Sequence, residues 1–198
     1  MVKIAHSLDQ AVTGSIDDAL KLGCAAIGFT IYPGSDHNFS LMEEYRELSR
    51  EAKSKGLAVV LWAYARGTNI SKKGETAMNI ISYAAHMSAL LGANIIKVKL
   101  PSDFLEEDPT KAAFENNKIA MSTLQERVTH IKKVAFEGKR LVVFSGGDAK
   151  DDSALMEEIK AIHFGGGNGS IIGRNCFQRT REDSLVLLDQ MIQIYKSK

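Results

Sequence analysis

The sequence predicts an α/β protein built around a parallel sheet. Two observations carry this expectation: six short, Val- and Ile-rich apolar runs recur along the 198 residues, and longer amphipathic stretches separate them. Short apolar runs bounded by Gly or polar residues are the pattern of strands covered on both faces. No compositional break interrupts the repeated βα units, so a single α/β domain over residues 1–198 is expected rather than two domains.

In chain order, the first apolar run is 2–5, followed by a helix pattern over 15–22 that stops at Gly23. The run 25–30 precedes a helix over 41–55 stopped by Gly56, and 57–62 precedes one over 75–91 stopped by Gly92. A glycine just past the last helical residue is a common C-terminal stop. After the run 94–98, the stretch between Pro101 and Asn117, with acidic Glu106-Glu107-Asp108, reads as a mobile loop over the site. A helix is then expected over 117–136, before Gly138, and a strand over 141–144. A helix over 153–162, a strand over 170–172 and a helix over 181–196 complete the chain. This makes about six βα units, which either an open doubly wound sheet or a (β/α) barrel accommodates; a complete barrel has eight units and about 250 residues.

The bulk properties exclude several functions. The chain is 44% apolar and 25% charged, which is ordinary for a globular protein. Lys and Arg total 25 against 24 Asp and Glu, a net charge of +1. There is no global electrostatic case for nucleic acid or an anionic membrane, and a local basic pocket remains compatible. No apolar run approaches the roughly 20 residues of a membrane span. The start, MVKIAHSLDQ, lacks a signal-peptide core, so a cytoplasmic location is expected. Cys24 and Cys176 match no metal or redox spacing and read as reduced core residues.

Three segments carry chemistry. The strand at 141–144 runs into Ser145-Gly146-Gly147-Asp148, and 170–172 runs into Gly173-Arg174-Asn175, after Gly165-Gly166-Gly167. Glycines directly after a strand let backbone N–H groups approach an anion, and the amino end of a following helix adds a favourable field. Arg174 can add a forked contact to phosphate oxygens. Either loop alone fits a tight turn equally well. Together, on the last two strands, they favour a phosphate site. Their spacing matches neither the dinucleotide fingerprint nor the P-loop.

In Leu61-Trp62-Ala63-Tyr64, the alternation of a strand puts Trp62 and Tyr64 on one face at its carboxyl end, where parallel α/β folds keep their active sites. Tyr64 can move a proton there while the indole closes off water. Amphipathic packing at a strand end explains the same pair. The next strand, Ile95-Ile96-Lys97-Val98-Lys99, places two lysines on one face of an apolar run. On a central strand an ammonium is then expected to be buried. Desolvation and a neighbouring cation both favour the free amine, a nucleophile toward carbonyls.

These segments resemble the archaeal-type class I fructose-bisphosphate aldolases, a family also found in bacteria. The resemblance rests on Gly28-Phe29-Thr30-Ile31-Tyr32-Pro33-Gly34-Ser35, Leu61-Trp62-Ala63-Tyr64, Ile95-Ile96-Lys97, Ser145-Gly146-Gly147 and Ile172-Gly173-Arg174, in the family's order. It implies a TIM barrel that reversibly cleaves fructose 1,6-bisphosphate to dihydroxyacetone phosphate and glyceraldehyde 3-phosphate, a step of glycolysis and gluconeogenesis. It also implies a Schiff base on Lys97, proton transfer by Tyr64, and an adjacent active-site Trp62. Phosphate would be held by Ser145, Gly146, Gly147, Gly173 and Arg174. The family class needs no metal or other cofactor. Consistently, His6, His37, His86, His130 and His163 have no neighbouring ligand at metal spacing. The partners implied are a sugar phosphate and further copies of the chain in a homo-oligomer.

The sequence departs from the family at its beginning. Val2-Lys3-Ile4-Ala5-His6 falls on the third strand of relatives, so about six of eight βα units are represented and the first two, with an aspartate that positions the ketose, are not. A fragment of a longer chain, a divided gene, and closure through an oligomer are the three explanations. The isolated chain is expected to fall short of full turnover. The competing readings are an impaired remnant that binds sugar phosphates and a related lysine aldolase with another substrate. The roles of Lys3, His6 and Lys99 stay open.

Overall fold

Five of the six apolar runs form strands in a computed structural model of the chain, which describes residues 8–145 and 150–197. They are β1 (Ala26–Ile31), β2 (Ala58–Ala63), β3 (Ile95–Lys99), β4 (Leu141–Ser145) and β5 (Gly169–Ile171). The run at 2–5, with Lys3 and His6, lies outside the described residues. All neighbouring strands are parallel, and their order in the sheet is β1-β2-β3-β4-β5. That order decides between the two expected architectures. A doubly wound sheet reverses direction partway, whereas a barrel lays each strand beside the one before it. The described sheet is an arc of a barrel.

The helices are α1 (Ile16–Lys21), α2 (Asn38–Ser54), α3 (Met78–Leu90), α4 (Asp108–Asn116), α5 (Leu124–Val134), α6 (Asp152–Phe164), α7 (Arg174–Phe177) and α8 (Arg181–Lys196). Their ends follow local chemistry. Ser15 and Asp18 form a capping box on α1, as Thr123 and Glu126 do on α5. Gly56 and Gly92, just beyond α2 and α3, take φ of 82° and 91°, the left-handed stop that side chains disfavour. No described helix is long and apolar enough to cross a membrane.

Three element expectations need correction. The stretch expected as a mobile loop, between Pro101 and Asn117, contains α4, opened by Pro109 in its first turn. None of its residues lines the cleft described below. The helix expected over 117–136 begins only at Leu124, because the Thr123 cap sets its start. The helix expected over 75–91 is split: Gly74–Thr76 is a 3₁₀ turn, and Ala77, at ψ 140°, breaks away from helical geometry before α3.

Burial alternates along the strands instead of being complete on both faces. On β2, Val59, Leu61 and Ala63 are buried while Val60 and Trp62 are partly exposed; on β3, Ile96 and Val98 are buried while Lys97 and Lys99 are not. The buried set faces the helices, where Phe29, Ile31, Leu61, Ile96, Val142 and Phe144 join Leu41, Ile81, Ile131 and Ile159 in one core. The opposite face would be the interior of a closed barrel, and an arc of five strands leaves it partly open. Cys24 is exposed rather than core, Cys176 is partly buried, and both are free thiols.

Candidate active site

The inward-facing side chains at the carboxyl ends of the strands border a cleft of about 900 Å³. Period-two alternation brings Tyr64, Lys97, Lys99 and Ser145 to this face. The register sets their neighbours: Trp62 lies opposite Lys97, and Lys99 opposite Ser145. The chain continues the ladder beyond β2, with the Tyr64 amide donating to the Ile31 carbonyl at 3.1 Å. Lys97 Nζ stands 5.4 Å from the centroid of the Tyr64 ring, a cation–π distance. The expected pairing of amine and phenol is therefore present. The fully dry surroundings are not, since Lys97 is only partly buried.

Trp62 stands apart from this group. It does not border the cleft, and its indole lies against β1 at Gly28, where an added Cβ would overlap the six-membered ring. Gly28 is thus the seat of the indole, which explains a glycine inside an apolar strand.

The two lysines of β3, equivalent in the sequence, differ in their partners. Lys99 Nζ donates to Glu75 at 2.6 Å, and Lys72 donates to the same carboxylate at 3.0 Å. Arg66 Nε lies 3.8 Å away. Lys97 has no ion pair or side-chain hydrogen bond among the described residues. The 3₁₀ turn delivers Glu75 to the cleft. Gly74 fits there because a Cβ would strike the Glu106 carboxylate, which in turn accepts from the amide (2.7 Å) and hydroxyl (2.8 Å) of Ser71. Burial pushes the Glu75 carboxyl up, but hydrogen bonds from Lys99 and Lys72 outweigh it and hold the group below the usual carboxylate range.

Described residues flanking the two glycine-bearing loops come together on the far side of the cleft. Ser145, Gly173 and Arg174 all border it, and the buried Asn175 side chain accepts from the Lys150 amide at 2.8 Å, tying the loop after β4 to α7. Arg179 braces the junction by donating to the Asn175 carbonyl at 2.7 Å and to Asp152. Gly146 and Gly147 lie outside the described residues. Gly173 has φ −96°, outside the left-handed region that favours glycine, and α7 is one turn long, so the helix field expected after it is small. Lys150 also reaches the cleft, where its ammonium pairs with the buried Glu158 of α6.

Glu75, Glu158, Lys150 and Asn175 were not singled out in the sequence. The two carboxylates sit in segments patterned as helices, where acidic residues are ordinary surface groups. Asn175 and Lys150 had a usable signal, since Asn175 closes one quoted glycine segment and Lys150 lies two residues beyond the other.

Residues 3–179 match the DeoC/LacD family of aldolases, and the chain belongs to that family. Among individual relatives, it is 32% identical to the class 1 fructose-bisphosphate aldolase of Halobacterium salinarum, over 86% of this chain and 56% of the relative. It is 31% identical to that of Thermoproteus tenax, over 83% of this chain and 54% of the relative. A crystal structure of an archaeal fructose 1,6-bisphosphate aldolase superposes with a TM-score of 0.78 at 28% identity, covering 96% of this chain and 66% of the other. Another, at the same TM-score and 27% identity, carries its catalytic Lys covalently bound to the carbinolamine intermediate of the substrate; 96% of this chain and 66% of that one are covered. The chain spans a little over half the length of these curated relatives.

Proposed function

We propose that the cleft is the Schiff-base site of a class I fructose-1,6-bisphosphate aldolase, with Lys97 as the nucleophile. The observation that carries this reading is the single cleft amine without a carboxylate partner among the described residues, set beside the Tyr64 phenol. The relatives' names suggest the substrate, and the placement of the cleft groups supports the roles.

In this reading the Lys97 amine adds to the C2 carbonyl of the ketose, and loss of water gives an iminium ion. The C3–C4 bond then breaks, its electron pair moves into the iminium, and the C4 hydroxyl loses its proton. Glyceraldehyde 3-phosphate leaves and an enamine remains on Lys97. Tyr64 relays the proton between the C4 oxygen and C3. Water then hydrolyses the imine to dihydroxyacetone phosphate and the free lysine. Trp62, seated on Gly28, walls the inward face beside β1. Ser145 and Arg174, with the backbone at Gly146, Gly147 and Gly173, take a substrate phosphate. The reading includes assembly into a homo-oligomer, brought by the resemblance, and a cytoplasmic location.

Borohydride reduction with dihydroxyacetone phosphate tests the proposal. One substrate-derived mass is expected on Lys97, and Lys97→Met is expected to abolish it. An adduct on another residue would defeat the assignment. Retained phosphate-ester binding without any adduct would support a binding remnant in its place.

A further inference from the structure

Four lysines border the cleft: Lys72, Lys97, Lys99 and Lys150. All are primary amines bordering one cleft, so a site that uses one of them for carbonyl chemistry must restrain the rest. Three of them are engaged by two carboxylates. Glu75 holds Lys99 at 2.6 Å and Lys72 at 3.0 Å, and Glu158 holds Lys150. Both carboxylates are buried, at 9% and 8% exposure, in contrast to the general run of surface acids. Neither belongs to a strand. Glu75 comes from the 3₁₀ turn after β2 and Glu158 from α6, so the two reach the cleft from separate elements.

We propose that Glu75 and Glu158 are positioning residues that confine carbonyl chemistry to Lys97 by pinning the competing amines. The physical reason is simple: only an unprotonated amine attacks a carbonyl, and an ion pair favours the protonated one. The pair also fixes the direction of the side chain, so Lys99 and Lys150 are turned toward their carboxylates. Lys97, 5.4 Å from the centroid of the Tyr64 ring, has no carboxylate holding it among the described residues. The proposal deepens the aldolase reading and rests on it for the identity of the carbonyl substrate.

Site-resolved reductive methylation, with formaldehyde and borohydride on the unmodified protein, reads the restraint without any sugar phosphate. Lys97 is expected to react ahead of Lys99 and Lys150 by about tenfold, the scale of one charge-assisted hydrogen bond. Glu75→Gln is expected to raise the reactivity of Lys99 and leave Lys150 unchanged; Glu158→Gln is expected to do the reverse. A carboxylate that merely supported the fold would not release one lysine selectively. In a second measurement, Lys97→Met is expected to trap no dihydroxyacetone phosphate, and Lys97→Met with Glu75→Gln to trap it on Lys99. Equal methylation of the three amines in the unmodified protein, which needs no variant to fold, overturns the proposal. So does an order of reactivity that neither Glu→Gln change disturbs. If methylation follows the expected order and dihydroxyacetone phosphate is trapped on no lysine, the substrate assignment fails and the pinning of the amines stands.

Discussion

The two sides of β3 share a backbone and little else. Ile96 and Val98 turn toward the helices and are completely buried, while Lys97 and Lys99, one residue out of step, face the open cleft. The helix side gains stability from apolar burial, at about 25 cal/mol for each Å² removed from water. The cleft side spends its positions on charge. A one-residue slip of register would exchange the two sets, placing ammonium groups in the core. The comparison teaches that stability and chemistry are separated here by side-chain parity, and that mutations should sort by the side they fall on.

The sharpest way to break this division is on the cleft side. Tyr64→Phe is expected to keep the Lys97 adduct but slow exchange of the dihydroxyacetone phosphate C3 hydrogen with deuterated water by about a hundredfold or more, as followed by NMR. Exchange at an undiminished rate would remove Tyr64 from proton transfer. On the helix side, Ile96→Ala is expected to cost about 2–5 kcal/mol in urea unfolding while the adduct still forms on the folded fraction.

Gly28→Val tests the boundary between the two sides. Its side chain would collide with the indole of Trp62, at a cost of about 1–3 kcal/mol, and displace the ring, read as a shift in tryptophan emission. The smallest effect concerns acid. Because the Glu75 carboxyl is held below its usual value, its ion pairs contribute stability at pH above the ordinary carboxylate value and lose it as pH falls below that value. Thermal melts from pH 6 down to pH 3 should therefore fall less steeply for Glu75→Gln than for the unmodified protein.

The sequence showed the strands well, because buried runs such as Leu57-Ala58-Val59-Val60-Leu61 have few alternatives. It also placed Lys97 and Tyr64 on the cleft face, since parity along a strand follows from geometry alone. What it hid has a physical reason in each case. The Thr123 cap was masked by the mixed run 117–122, whose Ile119, Ala120 and Met121 look helical in composition. Glu75 was read as part of an amphipathic helix, and only the break at Ala77 swings its carboxylate inward. The difference between Lys97 and Lys99 depends on groups far away in the chain, Glu75 among them, so no local pattern could reveal it.

The sheet's neighbour relations repeat the order of synthesis, β1 through β5, with every crossover made to the adjacent strand. Each βα unit therefore finds its docking edge already made when it leaves the ribosome, and no strand waits for a later one to be inserted between it and its predecessor. Growth by successive addition at one rim favours folding during translation, and it delivers the strand of Lys97 before the two glycine-bearing loops exist.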